Sequence, residues 1–280
     1  MTNTTDDDKE VEDLEIVLLL EGMFKRYGYD FRDYSMAHLR RRLRHRLHSS
    51  SLPDMGAMLH QVLHDRSFFE LLLRDLSINV TEMFRDPDIY LRIRTEVVSR
   101  LKTYPFVKIW HAGCATGEEV YSMAILLHEE GLLERCQIYA TDFNQIALKK
   151  AKEGIFPLDQ VQNFTANYQK SGGRESFSDY YTADNDAVIL KNWLKTRIVF
   201  ADHNLVTDSV FSEMQLVVCR NVLIYFNRDL QERIFQTFYD SLCPGGFLWL
   251  GSKESLKLST IGKSFEALFP DEKIYKRELQ

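Results

Sequence analysis

Between Val11 and about Leu76, apolar residues return every three or four positions, in LEIVLLLEGMFKRYG, SMAHLRRRLRHRLHS, MGAMLHQVLHD and RSFFELLLRDLS. That spacing puts them on one side of an α-helix. Gly28, the Ser49 to Ser51 cluster and Pro53 punctuate the run, so residues 11–76 predict a small helical domain. Residues 1–10 offer almost nothing to bury and are expected to be a disordered tail. After Thr103 the pattern changes. Short apolar runs rich in β-formers (FVKIWHAG, QIYATD, RIVFADHN, MQLVVCRN, GGFLWLG) alternate with helical stretches (Val120 to Glu130, NQIALKKAKEG, RDLQERIFQTFYDSL). Strands alternating with helices predict a parallel, doubly wound α/β sheet within residues 77–280. A polar stretch at about 164–195, with SGG and DND turn signals around DAVIL, predicts a small inserted β-subdomain.

Composition changes this picture little. A net charge of −6 removes any general reason to expect nucleic acid, so a basic surface has to be local. The four cysteines show no C-x-x-C spacing and sit among apolar neighbours, which argues against a disulfide framework or a zinc site and for a reducing, cytoplasmic setting. The apolar run Ile16 to Leu20 is far too short to span a bilayer.

In open α/β sheets, ligands bind outside the carboxyl ends of the strands. Four polar stretches fall there. HAGCATGEEVYSMAI opens a helix through Gly113 and Gly117, but its G-x-x-x-G spacing is neither dinucleotide fingerprint nor P-loop. Glu118 and Glu119 repel a pyrophosphate and attract a cation; Glu118, at the positive end of the helix, has a simpler electrostatic explanation. Asp142 ends YATD, where an acid suits a ribose diol, or else caps the next helix. Asn204 follows in ADHNL, where its amide suits an adenine edge. Arg220 and Asn221 end VVCRN, and Tyr225 comes one helical turn later. A glycine loop, an acidic strand end and no phosphate signature together point to S-adenosylmethionine.

The segments NVTEMFRDP, GCATGEEVYSMAI, TDFNQIALKKAKEGIF, DHNL, CRNVLIYF and LCPGGFLWLGSKESL occur in the order and approximate spacing of the CheR-type chemoreceptor glutamate methyltransferases, which the chain resembles from its helical region to EKIYKRE. The resemblance implies a Rossmann-like S-adenosylmethionine methyltransferase domain, an N-terminal helical domain and a small β-subdomain. It matches Asn79, Thr81 and Arg85 to the family's N-x-T-x-F-F-R stretch, with Met83 replacing the first Phe. It matches Glu119 and Asp142 to cofactor-binding acids, Asn204 and Leu205 to the pair flanking the adenine, and Arg220 and Asn221 to the pair before the catalytic helix. Tyr225 falls on the tyrosine beside the transferring methyl, with Arg85 as its partner. Taken alone, Tyr225 is a packed aromatic and Arg85 a surface partner of Asp86 or Asp88.

In HLRRRLRHRLHS, Leu39, Leu43 and Leu47 form the expected buried seam, with Arg40, Arg41 and Arg44 pointing away from it. Five arginines within seven positions exceed what solubility asks of an acidic chain. With the resemblance, they predict docking to the acidic methylation helices of a chemoreceptor's cytoplasmic domain. No aromatics are interleaved as RNA binding requires. The β-insert departs from the pattern that grips a receptor's C-terminal peptide. The expectation is a cytoplasmic, monomeric, metal-free enzyme that makes glutamate methyl esters and S-adenosylhomocysteine. The rivals are methylation of RNA or a small molecule, methylation of a protein in a non-motility pathway, and a non-catalytic S-adenosylmethionine sensor.

Overall fold

The computed structural model describes residues 4–77, 81–210 and 212–279, with side chains from Lys9 onward. The chain divides into two compact units, residues 1–78 with 225–231, and residues 79–224 with 232–280.

The first unit is built from α1 (Thr4–Tyr27), α2 (Met36–Ser49), α3 (Met55–His64) and α4 (Arg66–Leu76). Helix α1 begins inside the stretch expected to be a disordered tail. Asp54 caps α3 by accepting from Ala57 N (2.7 Å), and Asp65 caps α4 through Ser67 N and Phe68 N. Ile16, Leu19, Leu20, Met23, Leu39, Leu43, Met58, Val62, Leu72 and Leu73 are buried, in keeping with the helical spacing, whereas Leu47 is only half-buried.

The second unit opens with α5 (Pro87–Arg92), which continues through a π-helical turn, Ile93–Val97, into α6 (Val98–Leu101). There follow β1 (Val107–Ala112), α7 (Glu118–Glu129), β2 (Cys136–Asp142), α8 (Gln145–Glu153), β3 (Ile155–Pro157), α9 (Val161–Lys170), β4 (Tyr181–Asp184), β5 (Ala187–Leu190) and α10 (Asn192–Lys195). The chain then forms β6 (Ile198–Asp202), β7 (Met214–Cys219), α11 (Arg228–Ser241), β8 (Leu242–Leu250), β9 (Phe265–Phe269) and β10 (Ile274–Arg277).

Seven strands form one sheet in the order β6-β2-β1-β7-β8-β10-β9, parallel except where β10 runs antiparallel between β8 and β9. Its strands are apolar runs because helices cover both faces. Ile109, Trp110, Leu216, Val218 and Trp249 are fully buried. This is a Rossmann-like fold. The order in which strands are added reverses at β1, which pairs in parallel with β2 on one side and β7 on the other, and that switch point opens the crevice where such sheets bind ligands.

The β-subdomain is a three-stranded sheet ordered β3-β5-β4. The DND turn makes its hairpin, with Asn185 left-handed (φ 49°). Its extent differs from the expected 164–195. The sheet starts at Ile155, and residues 161–170 are a helix whose buried Phe164 and Tyr168 lie four positions apart, a spacing masked in sequence by the polar residues around them. Glu129 on α7 ties the subdomain down, accepting from Tyr180 (2.8 Å), Arg174 N (3.0 Å) and Tyr168, and it also accepts from Arg94 of the π-helical turn (2.6 Å).

Candidate active site

Parallel register brings the strand ends level. Ala112 pairs with Thr141, His111 with Val218, and Asp142 with Asp202. The turns that follow therefore leave one edge of the sheet. After β1 the backbone takes positive φ at Gly113 (78°), Ala115 (49°) and Gly117 (94°). Both glycines are needed for packing as well as for conformation. A Cβ on Gly113 would lie 2.6 Å from Val222 Cγ2, and one on Gly117 would lie 3.0 Å from the Cβ of Ala151. Gly113 N and Cys114 N donate to Thr141 O, and Ala115 N donates to Asp142 Oδ2 (2.9 Å).

Asp142 is buried, and its other oxygen accepts from Asn144 N (2.8 Å). Burial raises its pKa, partly offset by these donors. It does not cap the following helix; Asn144 does, through Ile146 N and Ala147 N. With its charge held by two backbone N–H groups, Asp142 keeps acceptor capacity on both oxygens, as a ribose diol requires.

Glu119 and Arg220 form the centre of the site. Arg220, whose side chain is 1% exposed, donates to Glu119 Oε2 (3.0 Å) and Asp86 Oδ2 (2.5 Å), reaches the Arg85 carbonyl at 3.4 Å, and lies over the Trp249 ring at 4.5 Å. The other oxygen of Glu119 lies 3.1 Å from His111 Nδ1. Burial works against the Glu119 charge, but contacts with His111 and Arg220 outweigh it and hold the carboxyl below its ordinary value. Arg220 thus anchors the FRDP turn, where Phe84 (φ 53°) and Asp86 (φ 60°) are both left-handed. Neighbouring Glu118 has no arginine bonded to it among the described residues and feels only the weaker pull of Lys150. Burial pushes it up to about 7, and Thr116 Oγ1 donates to it at 2.6 Å.

A further carboxylate fixes the loop after β7. Glu254, 4% exposed, accepts from Gly251 N (2.6 Å), Asn221 N (3.1 Å), Val222 N (2.9 Å) and Leu223 N (2.7 Å), with Asn221 left-handed at φ 61°. Burial raises its pKa and the four N–H donors partly oppose the rise. Asn204 forms a turn of its own: its Oδ1 accepts from Val206 N, and its N donates to Asp208. Leu205 beside it is half-buried.

The structure thus gathers Arg85, Gly113, Glu119, Asp142, Arg220 and Asn221 within the second unit, and Thr81 is half-buried there. Asn79 lies outside the described residues. Tyr225 is grouped with the first unit, where its carbonyl accepts from Ser35 N (2.8 Å) and its ring meets His38 edge-on at 5.6 Å. Arg40, Arg41 and Arg44 separate: Arg40 pairs with Asp13, and Arg44 grips Glu12 with two bonds of 2.7 and 2.6 Å, while exposed Arg41 has no ion-pair partner among the described residues. Asp86, His111, Glu254 and His38 were not singled out from sequence. The readable signal was a polar residue at the carboxyl end of an apolar strand, which fits His111 directly and Glu254 four residues past β8.

The CheR methyltransferase SAM-binding domain matches residues 79–271, and the CheR all-alpha domain matches residues 14–77. The chain belongs to the CheR methyltransferase family. It is 52% identical over 265 residues to a Pseudomonas putida protein provisionally named methyltransferase Cher3, covering 95% of this chain and 97% of that one. It is 26% identical over 243 residues to the chemotaxis protein methyltransferase of Escherichia coli, covering 83% and 81%. Among solved structures it is similar to the N-methyltransferase NodS of Bradyrhizobium japonicum with S-adenosyl-L-homocysteine (TM-score 0.39, 15% identity, 71% and 89% covered).

As a CheR-family protein it is an S-adenosylmethionine-dependent methyltransferase. The strand-end residues fit that cofactor. Glu119, Asp142 and Asp202 bring carboxyl groups to this edge of the sheet, which suits a ligand carrying sulfonium and ammonium charges. Among the described residues no group of His, Cys, Asp and Glu is placed to hold a metal, and no helix is long and apolar enough to cross a membrane.

Proposed function

We propose that this CheR-family enzyme methylates glutamate carboxylates on the cytoplasmic domain of a chemoreceptor, giving methyl esters and S-adenosylhomocysteine. The observation that supports this best is the match of both CheR domains along nearly the whole chain, with Arg85, Glu119, Asp142, Arg220 and Tyr225 on the family's motif positions.

The bound cofactor supplies a methyl group on positively charged sulfur. A substrate glutamate is already ionised near neutral pH, since a free side chain titrates at about 4.3. No general base is needed, and alignment and electrostatics suffice. We assign Arg85 to orienting the carboxylate, and the Tyr225 hydroxyl to the methyl donor. Asn79, Thr81, Asn204, Leu205 and Asn221 hold the cofactor, and Asp142 takes its ribose. Glu119 contributes negative potential while its oxygens keep Arg220 and His111 in place. Arg220 acts by fixing the backbone on which Arg85 sits.

Docking rests on the basic helix. Among the described residues Arg41 is the arginine of the three with no carboxylate paired to it, and we assign it first contact with an acidic receptor helix; Arg40 and Arg44 add charge that Asp13 and Glu12 partly neutralise.

The decisive experiment is tritiated methyl transfer to a panel of receptor cytoplasmic domains, with and without their C-terminal peptides. The expected result is base-labile label on glutamate, with Tyr225→Phe and Arg85→Lys each reducing kcat at least tenfold. Cofactor binding without label on any receptor would instead establish a sensor.

A further inference from the structure

His111, next to the end of β1, has a side chain 1% exposed, whereas that of its partner Glu119 is 19% exposed. A ligand from outside reaches the carboxylate and not the imidazole. Nδ1 lies 3.1 Å from Glu119 Oε1, and Nε2 is buried with no hydrogen-bond partner among the described residues. A carboxylate only accepts, so the proton of this contact sits on Nδ1; a second one, on Nε2, would meet no acceptor. An imidazole can make this bond from its neutral form, which lysine or arginine cannot.

The same bond decides how Arg220 is shared. Its two terminal nitrogens go to different carboxylates, Nη1 to Glu119 Oε2 (3.0 Å) and Nη2 to Asp86 Oδ2 (2.5 Å). With both oxygens free, Glu119 would favour the two-bonded fork of an arginine–carboxylate pair and draw off the nitrogen that holds Asp86. With Oε1 engaged by His111, it offers Arg220 one oxygen. One arginine then faces two carboxylates, and negative charge is left over for a positively charged ligand.

We propose that His111 is a positioning residue for the cofactor, holding Glu119 in the orientation that serves S-adenosylmethionine while Arg220 stays divided between Glu119 and Asp86. This rests on the assignment of Glu119 to the cofactor and not on which substrate is methylated. Each Glu119 oxygen keeps a further acceptor position for the cofactor's ammonium group. Burial opposes the Glu119 charge, and the His111 hydrogen bond comes first among the effects that favour it, ahead of the attraction of Arg220. Tyr90 of α5 and the Cys114 and Cys219 thiols also face it, all pushed upward by burial, and Glu118 lies beside it. Loss of His111 therefore lets Glu119 take up a proton at higher pH, and negative charge at the site is lost as pH falls.

Calorimetric binding of S-adenosylmethionine and S-adenosylhomocysteine to the full chain tests it without a receptor. His111→Leu should weaken S-adenosylmethionine at least about fivefold, in keeping with the loss of a hydrogen bond to a charged group, and S-adenosylhomocysteine, which lacks the sulfonium charge, less. The gap to wild type should widen from about pH 8 to about pH 6, with Glu118 titrating in both proteins and so dropping out of the comparison. His111→Asn, whose amide donates from nearly the place of Nδ1, should bind within about twofold of wild type. Amide exchange at Arg85 and Asp86 should quicken in the leucine variant and not in the asparagine one. Imidazole nitrogen NMR of the unmodified chain should show the Nδ1–H tautomer at His111. Equal losses for the two ligands, a gap that ignores pH, no rescue by asparagine, or an Nε2–H tautomer would each overturn the proposal. Glu119→Gln should also weaken S-adenosylmethionine; if it does not, the assignment of Glu119 falls and this proposal with it. Normal binding by the His111 variants beside a weakened Glu119→Gln overturns the role of His111 alone.

Discussion

Two arginine–carboxylate clusters in this molecule use the same chemistry under opposite conditions. In the helical unit Arg44 and Arg40 hold Glu12 and Asp13, and the Arg44 side chain is 59% exposed. In the sheet unit Arg220 holds Glu119 and Asp86 from a side chain that is 1% exposed. Water screens the first cluster, so its members are nearly interchangeable with solvent partners and contribute little. At Arg220 the second has no such alternative. Arg220 and Glu119 depend on each other, while Asp86 is 43% exposed and open to water, and the geometry is imposed on whatever is attached, here the FRDP turn and the first turn of α7.

Removing one member separates the two cases most sharply. Arg220→Met strands Glu119, while Asp86 turns to water, and unfolding in urea should show a loss of about 3 kcal/mol. Adding Glu119→Gln should recover at least half, because the cost lies in the orphaned charge; if it recovers none, the ion-pair account is wrong. Next in size is Glu254→Ala, which leaves four backbone N–H groups without their acceptor. A loss of about 2–4 kcal/mol is expected, with faster amide exchange at Asn221, Val222 and Leu223. Glu254→Gln, which keeps one acceptor oxygen, should lose less.

These networks also mark where sequence reasoning stops. The strands and helices were legible because Ile109, Leu216, Val218 and Trp249 lie in apolar runs, and because Leu39 and Leu43 repeat at helical spacing. The strand-end positions of Asp142, Arg220 and Asn221 followed from the alternation of elements. What could not be read is pairing over distance. Glu119 was expected to face a cationic ligand, yet its oxygens meet Arg220, a hundred and one residues later, and His111. Glu254 binds backbone N–H groups some thirty residues earlier, and backbone partners carry no sequence signal. The Asp142 cap reading failed locally, since Asn144, two residues on, makes the cap.

Glu118 sharpens the comparison, being a buried carboxylate beside Glu119 that has no arginine of its own. Its folded pKa of about 7 lies above the ordinary carboxyl value of about 4.5, so the folded state favours the protonated form. That contribution is fully present below about 4.5 and is lost as pH rises through about 7. Glu118→Gln should therefore match the wild type at pH 4 and exceed it above pH 7, by on the order of 2 kcal/mol in denaturant unfolding. A constant difference across that range would mean that Glu118 is ionised in the fold like its neighbour.

The smallest effect on stability belongs to the exposed cluster, and there the interest lies in kinetics. The Glu12 carboxyl is held low chiefly by its hydrogen bonds from Arg44, against the opposing effect of partial burial. Glu12→Gln should change stability by less than about 1 kcal/mol, since solvent replaces the lost pairing. Yet it frees Arg44 on the helix assigned to docking, while Arg40 stays with Asp13. KM for an acidic receptor domain should fall severalfold at ~50 mM salt, with kcat unchanged, and the gain should vanish near ~0.5 M, where exposed charges are screened within a few ångströms. Arg41→Glu should move KM in the opposite direction under the same conditions. A KM indifferent to both substitutions would leave the arginines of α2 as an ion-paired, solvated face and move docking elsewhere on the molecule.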